Sequence, residues 1–499
     1  MKRTWTALAL AGAMVFQLAA CGASNSGGGS SSANSGTESA LVLSDQSVTL
    51  DGNTISEGTD GAVTVSHDIV YYQAGQGEDY GAGSADDEHT AEEAGAHTVV
   101  TIRKAGTYRV SGSLSAGQLA VDLGDDAKTA PSSVVTLILD GVDITCTVAP
   151  AVIFYNVYEC DADFVAYDNE ETDNYVSSPT VDTSAAGANV ILADGSVNNI
   201  SGSYVARIYK EGTTKKLHKY DGAFYSKMSM NIGGESEGDG VLNITGENEG
   251  LDTELHLTIN GGNVYTMANQ ASPDGGLDAD EDILINGGYV VAVGIRNDPI
   301  SDDSAQQYIQ LTFASVLPAG SQIALTDDSG DQLLSFTLEK SAQSIVFSSP
   351  DLKQDVDYTL TVDGVTQQYT GTSAGGMGPG NGGQPPELPD GQQPGDGSQP
   401  GQDGQQPPQS DGQQPPEKPD GSQAPNTNGQ QPPEKPDGDS AQQDRPQPPE
   451  NGGQAPDGQA PGTQPGQNQT QDSQTEPSTQ FTLTGDHHAF SGISDSENG

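Results

Sequence analysis

The sequence predicts an all-β protein: a parallel β-helix with a C-terminal β cap, followed by a long disordered tail. Three observations carry this. From Leu41 to Gly371 the chain is rich in Val, Ile, Leu, Thr and Tyr that alternate at period two, with no helical periodicity of any length. Inside that stretch a whole two-strand unit repeats. From about Ala374 to Gln480 the composition switches to Gln, Pro, Gly and Asp with almost no branched apolar residues. Such a segment buries too little surface to offset its chain entropy.

The repeat is clearest in Gly250 to Gly262 and Gly276 to Gly288, 26 residues apart, each ending in Ile-Asn-Gly-Gly. A looser copy runs from Met228 to Gly234, and Tyr108 to Gly112 and Val135 to Val142 keep the order strand, Gly turn, strand. Alternate residues such as Leu255, Leu257 and Ile259, or Ile283 and Ile285, are expected to point inward. A unit this short cannot enclose a core and must stack on its neighbours. The competing arrangement is a β-sandwich of hairpins, since Asn-Gly and Asp-Gly also mark hairpin turns.

The expected parts are a signal segment over 1–20, a lipidated Cys and tether over 21–40, and the β-helix over 41–303. A β-strand cap over 304–371 comes next, then the disordered segment over 372–480 and a short last segment over 481–499. In the cap, Ile323 to Thr326 and Leu333 to Leu338 read as a hairpin around Asp327 to Asp331. Phe481 and Phe490 to Ile493 read as a strand returning to the β domain.

Lys2, Arg3 and the apolar run Ala7 to Leu18 form a secretory signal too short to span a bilayer. Leu18-Ala19-Ala20-Cys21 resembles a bacterial lipobox, which implies cleavage before Cys21, its acylation, and a lipid-anchored protein on the extracellular face of the membrane. Export permits a disulfide between Cys146 and Cys160; two buried free thiols fit equally well. The chain carries 18 Lys+Arg against 70 Asp+Glu, a formal net charge of −52. That field repels nucleic acid and anionic headgroups and attracts divalent cations. A monomer is expected.

Asp274, Asp278, Asp280, Glu281 and Asp282 are the densest acidic cluster. In an extended strand Asp278, Asp280 and Asp282 share one side, where a bridging cation relieves their repulsion. Ca²⁺, with its many oxygen ligands and tolerant geometry, suits them better than Mg²⁺. A solvated acidic turn is the plain alternative. Asp298, Asp302 and Asp303 form a weaker cluster. Sugar stacking would fall to Tyr, and Tyr204, Tyr209 and Tyr220 lie in a basic island with Lys216 and its cationic neighbours. A lyase would use Ca²⁺ with Lys227 or Arg296 as base. No motif sets either residue beside the acidic cluster, so binding without catalysis is the expectation.

Taken together and in order, Lys104 to Leu114, Val135 to Ile144, Phe224 to Lys227, the two Asn-Gly-Gly units and Ser344 to Leu352 resemble a known family. It is a bacterial family of secreted carbohydrate-binding β-helix lipoproteins, related in shape to polysaccharide lyases. The resemblance spans about Ser44 to Gly364. It implies a right-handed β-helix that binds cellulose- or pectin-like polysaccharide and holds calcium. Two stretches, Glu159 to Ser184 and Tyr204 to Tyr220, depart from the family's regularity, and the tail lies outside it. A calcium-dependent pectate-type lyase and a cell-surface structural or adhesion protein remain the other readings.

Overall fold

Parallel strand pairing, rung upon rung, is what the repeat produces. The computed structural model describes residues 38–73, 83–84, 86–162, 181–209, 216–234, 238–270, 272, 274–373, 473–485 and 488–496. All of them fall in one unit of the chain; a second unit, Gln384–Asn468, lies outside the described residues, as do residues 1–20, expected to be a signal segment, and Cys21. The chain is all-β; its helical elements among the described residues are short, an α-helix at Ala91–Gly95 and 3-10 helices at Asp125–Thr129 and Thr183–Ala185.

Three ladders of parallel strands run through it. The first comprises Thr98–Ile102, Gly117–Asp122, Val152–Asn156, Gly222–Ser226, Glu249–Thr253 and Leu277–Ala279. The second passes through Ser39–Leu43, Gly106–Leu114, Val135–Thr145, Ala188–Leu192, Met230–Ile232, Leu257–Ile259 and Ile283–Ile285. The third takes the far half of Val135–Thr145, then Val197–Gly202, Val241–Gly246, Asn263–Met267 and Tyr289–Gly294. The second and third ladders belong to one 22-stranded sheet that also contains antiparallel strands, so the sheets are mixed. The strand at Ser39 begins inside the stretch expected to be tether.

Register explains the core. Val100, Leu119, Val152, Phe224, Leu251 and Leu277 are successive partners in the first ladder, and all are fully buried. Each such side chain contributes about 1.5–3 kcal/mol by leaving water. At the Asn-Gly-Gly corners Gly262 and Gly288 adopt φ of 86° and 90°, and a Cβ on Gly288 would lie 2.5 Å from the Gly262 carbonyl oxygen. Gly288→Ala is therefore expected to destabilise the fold by about 1–3 kcal/mol, read as a lowered urea midpoint.

Two excursions interrupt the coils. The first-ladder strand ends at Asn156, and the chain is described again from residue 181; the Thr183 hydroxyl is 2.7 Å from that of Thr258, and its carbonyl accepts from Asn231 Nδ2 at 2.8 Å. The second is a two-stranded antiparallel hairpin, Val205–Tyr209 with Lys216–Tyr220. Cys146 and Cys160 are free thiols. Burial pushes Cys146 up to about 11; burial and then Glu159 push Cys160 up to about 12. Iodoacetamide at pH ~8 is expected to spare Cys146 in the native protein and to alkylate it in urea.

The cap is antiparallel. Ala342–Ser348 pairs with the last rung, Tyr289–Gly294, and with Tyr308–Leu317. Gln322–Thr326 and Gln332–Thr337 form the expected hairpin. Its turn is closed by Asp327, which accepts from the amides of Ser329 and Asp331 at 3.0 and 2.8 Å. Ala489–Asp495 does return: it lies between Tyr308–Leu317 and Val365–Ser373, with Phe490 opposite Leu311 on one side and Thr372 on the other. The expected disordered stretch is too long at its end. Ser473–Ser478 is a strand, because the edge at Tyr369 to Thr372 offers it backbone partners.

Candidate cation and carbohydrate site

Successive strands of the first ladder, with the residues that lead into them, bring carboxylates from three chain segments together. Asp252 and Asp278 are register partners, and Glu249 opens the strand that carries Asp252. Carboxylate oxygens of Asp221, Glu249 and Asp252 lie within 4.8 Å of one another, and so do those of Glu249, Asp274 and Asp278. Glu249 is thus shared by two oxygen sets. It is 2% exposed, and its Oε2 has no hydrogen-bond partner among the described residues.

Burial is the first cause that drives Glu249, Asp252 and Asp278 well above the usual carboxylate range. The neighbouring carboxylates add to it: Asp252 and Asp278 on Glu249, Asp278 and Asp221 on Asp252, Asp298 and Asp274 on Asp278. Asp298 is also raised by burial, opposed by a hydrogen bond with Asp278 and by Arg296. Two cations border the cluster. Lys219 pairs with Asp221, and Arg296 donates to Asp274 at 2.8 Å with Asp298 at 3.9 Å. An all-oxygen donor set with an orphaned buried carboxylate oxygen fits a hard divalent cation of the calcium type.

Residues 96–313 match the family described as "Carbohydrate-binding domain-containing protein". A solved structure titled "Structure of the polysaccharide lyase-like protein from C. thermocellum, Gadolinium derivative" is similar at 20% identity over 51% of this chain and 69% of that one, with a TM-score of 0.28. No curated protein matches the chain.

The matched segment contains the cluster and most of the residues singled out in the sequence. Asp274, Asp278 and Asp298 converge as neighbours, and Asp280 is exposed beside them, lining the same depression with Lys219, Tyr225 and Glu254. Asp282 does not join them. The strand holding Asp278 ends at Ala279, so strict alternation stops there, and Asp282 turns toward His256 and Asp303. Burial raises its pKa, opposed by His256. Glu281 belongs to the same corner, while Asp302 is exposed and accepts from the Tyr308 hydroxyl at 3.2 Å. Arg296 is at the cluster; Lys227 follows the strand Gly222–Ser226 and does not line it.

The aromatic expectation needs correction at Tyr220. It is buried at 2% exposure, edge-on to Tyr155 at 5.6 Å and tilted against Tyr225 at 5.2 Å, and so has no free face for a sugar. The hairpin's second strand ends where the chain re-enters the coil, which makes Tyr220 part of the core. Tyr204 donates its hydroxyl to Asp87. Tyr209 and Lys216 are register partners across the hairpin, and their side chains lie outside the described residues.

Glu249, Asp252, Asp221 and Lys219 were not singled out in the sequence as ligands. The 26-residue repeat carries the signal for one of them: Gly250-Leu-Asp252 aligns with Gly276-Leu-Asp278, and stacked repeats place the two aspartates side by side. Glu249, which opens its strand, aligns with Gly275 in the next repeat, and Asp221 lies outside the repeat, so periodicity marks neither.

Proposed function

We propose that this protein is an extracellular, lipid-anchored carbohydrate-binding protein whose coils wind as a right-handed parallel β-helix stabilised by calcium. The match of residues 96–313 to the carbohydrate-binding family carries the ligand class. The three ladders and their 26-residue repeat support the β-helix, since right-handed crossovers are the rule for parallel strands. Ca²⁺ would be held by Glu249, Asp252, Asp274 and Asp278, with Asp221 and Asp298 beside them; it would neutralise carboxylates that otherwise need protons. Cys21 would be the acylated residue, so the polysaccharide is held near the cell.

The arrangement favours binding over catalysis. The two basic groups at the cluster, Lys219 and Arg296, are both committed to carboxylates. The test is retention of the full mature chain on insoluble cellulose and pectin, with Ca²⁺ and then with EDTA. Retention on either polymer without release of ultraviolet-absorbing unsaturated product is the expected result. Failure on both polymers under every condition overturns the reading, and unsaturated product formed with Ca²⁺ replaces it with a lyase.

A further inference from the structure

The proposed function leaves open which of the three ladder faces takes the polysaccharide. The outer surface of the first ladder holds the acidic cluster. That of the second is roofed where Asn231 and Thr258 bond Thr183, and both are buried. The third ladder presents its outward row to solvent along Val197–Gly202 and Val241–Gly246.

We infer that this third face is the polysaccharide surface and that its ligand is a neutral, extended glucan rather than a polyuronate. The inference rests on the carbohydrate-binding reading and deepens it. Alternation in Val197–Gly202 and Val241–Gly246 turns Val197, Asn199 and Ser201, and then Val241, Asn243 and Thr245, outward. None is charged, in a chain of net charge −52. Asn199 and Asn243 are register partners, and Asn243 Nδ2 donates to Asn199 Oδ1 at 3.0 Å. The amides are thereby fixed side by side, with donor and acceptor capacity left for sugar hydroxyls. Val197, at 54%, is the most exposed large apolar residue among those described, and gives a C–H face something to lie on.

The next rung adds Tyr265, opposite Asn243, its ring 5.9 Å from that of Tyr289. There the cap closes the face: Tyr289 donates its hydroxyl to the Leu333 carbonyl at 3.1 Å, and Lys340 Nζ donates to that of Gly246 at 3.1 Å. At the opposite end Asp143 is the register partner of Asn199. Between those ends, rungs ~4.8 Å apart and rows ~7 Å apart give a neutral patch of about 14 by 14 Å, room for a few sugar units. A polyuronate approaching it meets repulsion from the whole acidic chain; a neutral chain of hydroxyls and C–H faces does not.

The test is depletion binding of the full mature chain to insoluble cellulose and to polygalacturonate, in EDTA and in Ca²⁺, for wild type, Val197→Asp and Asn243→Lys. Both positions face solvent, and thermal melts of each variant check folding. Wild type retained on cellulose in EDTA, with each variant weakened at least tenfold, is the expected result. If wild type is retained and both variants match it, the face is wrong while the carbohydrate-binding reading stands. If only polygalacturonate retains the protein, and EDTA abolishes this, the neutral ligand is overturned in favour of a site at the acidic cluster. No retention on either polymer overturns the functional reading together with the face.

Discussion

Stripped of divalent cations, the protein is expected to lose stability as the pH rises from about 4 toward about 8, and Ca²⁺ is expected to restore it. The sign follows from the direction of the shifts at Glu249, Asp252 and Asp278, which are raised in the folded state. In the unfolded chain these carboxyls titrate near pH ~4. Below that value both states hold the protons, and the raised groups contribute their full stabilisation. Above it the folded state binds more protons than the unfolded one, so stability falls with pH until the folded-state values are passed, at up to about 1.4 kcal/mol per pH unit per retained proton. A divalent cation bound there would replace the protons, so its affinity is expected to rise with pH. Melting curves at pH ~5 and ~8, in EDTA and in Ca²⁺, check this: the Ca²⁺-induced shift should be larger at the higher pH. Glu249→Gln should raise the EDTA midpoint at pH ~8 by relieving repulsion and at the same time shrink the Ca²⁺ response.

Deleting the C-terminal strand is expected to unfold the cap, whereas deleting most of the tail before it is not. Ala489–Asp495 is a central strand, hydrogen-bonded to Tyr308–Leu317 and to Val365–Ser373. It carries Phe490 and Ile493 into a core with Phe313, Phe347 and Phe481. Phe490 touches Tyr369 at 4.8 Å and Phe481 at 5.2 Å between ring centroids. Phe490→Ala should destabilise the fold by about 3–5 kcal/mol. Truncation after Thr372 removes these contacts and opens two strand edges. Thr372 and Ser473 are register partners, so a short turn can replace the residues between them. Urea midpoints of the three variants against the full chain check the prediction, which places the last strand in the domain rather than in the tail.

Much of the fold was legible because it comes from periodicity. The Ile-Asn-Gly-Gly units mark both the strand register and the corners where positive φ is needed, and Gly262 and Gly288 sit there as expected. The return of Phe490 could be read from branched and aromatic residues reappearing after a stretch that has almost none. The site was legible only in part. Asp274 and Asp278 stand in one acidic run of the sequence, but Asp298, read with Asp302 and Asp303 as a separate cluster, and Glu249 and Asp221, which precede that run, reach it only through the stacking of adjacent strands. Asp282 was misplaced because alternation was extended past Ala279, where the strand ends. Tyr220 looked like a loop aromatic by composition, yet the hairpin that carries it turns back into the core.

The most direct test of the account is calorimetric titration of Ca²⁺ into the chelator-treated full chain at pH ~8, beside Glu249→Gln. The account predicts saturable binding with release of protons in the wild type, and a loss of at least tenfold in affinity in the variant. Absence of Ca²⁺ binding to the wild type, or binding unchanged by Glu249→Gln, would contradict the assignment of the buried carboxylates as a cation site.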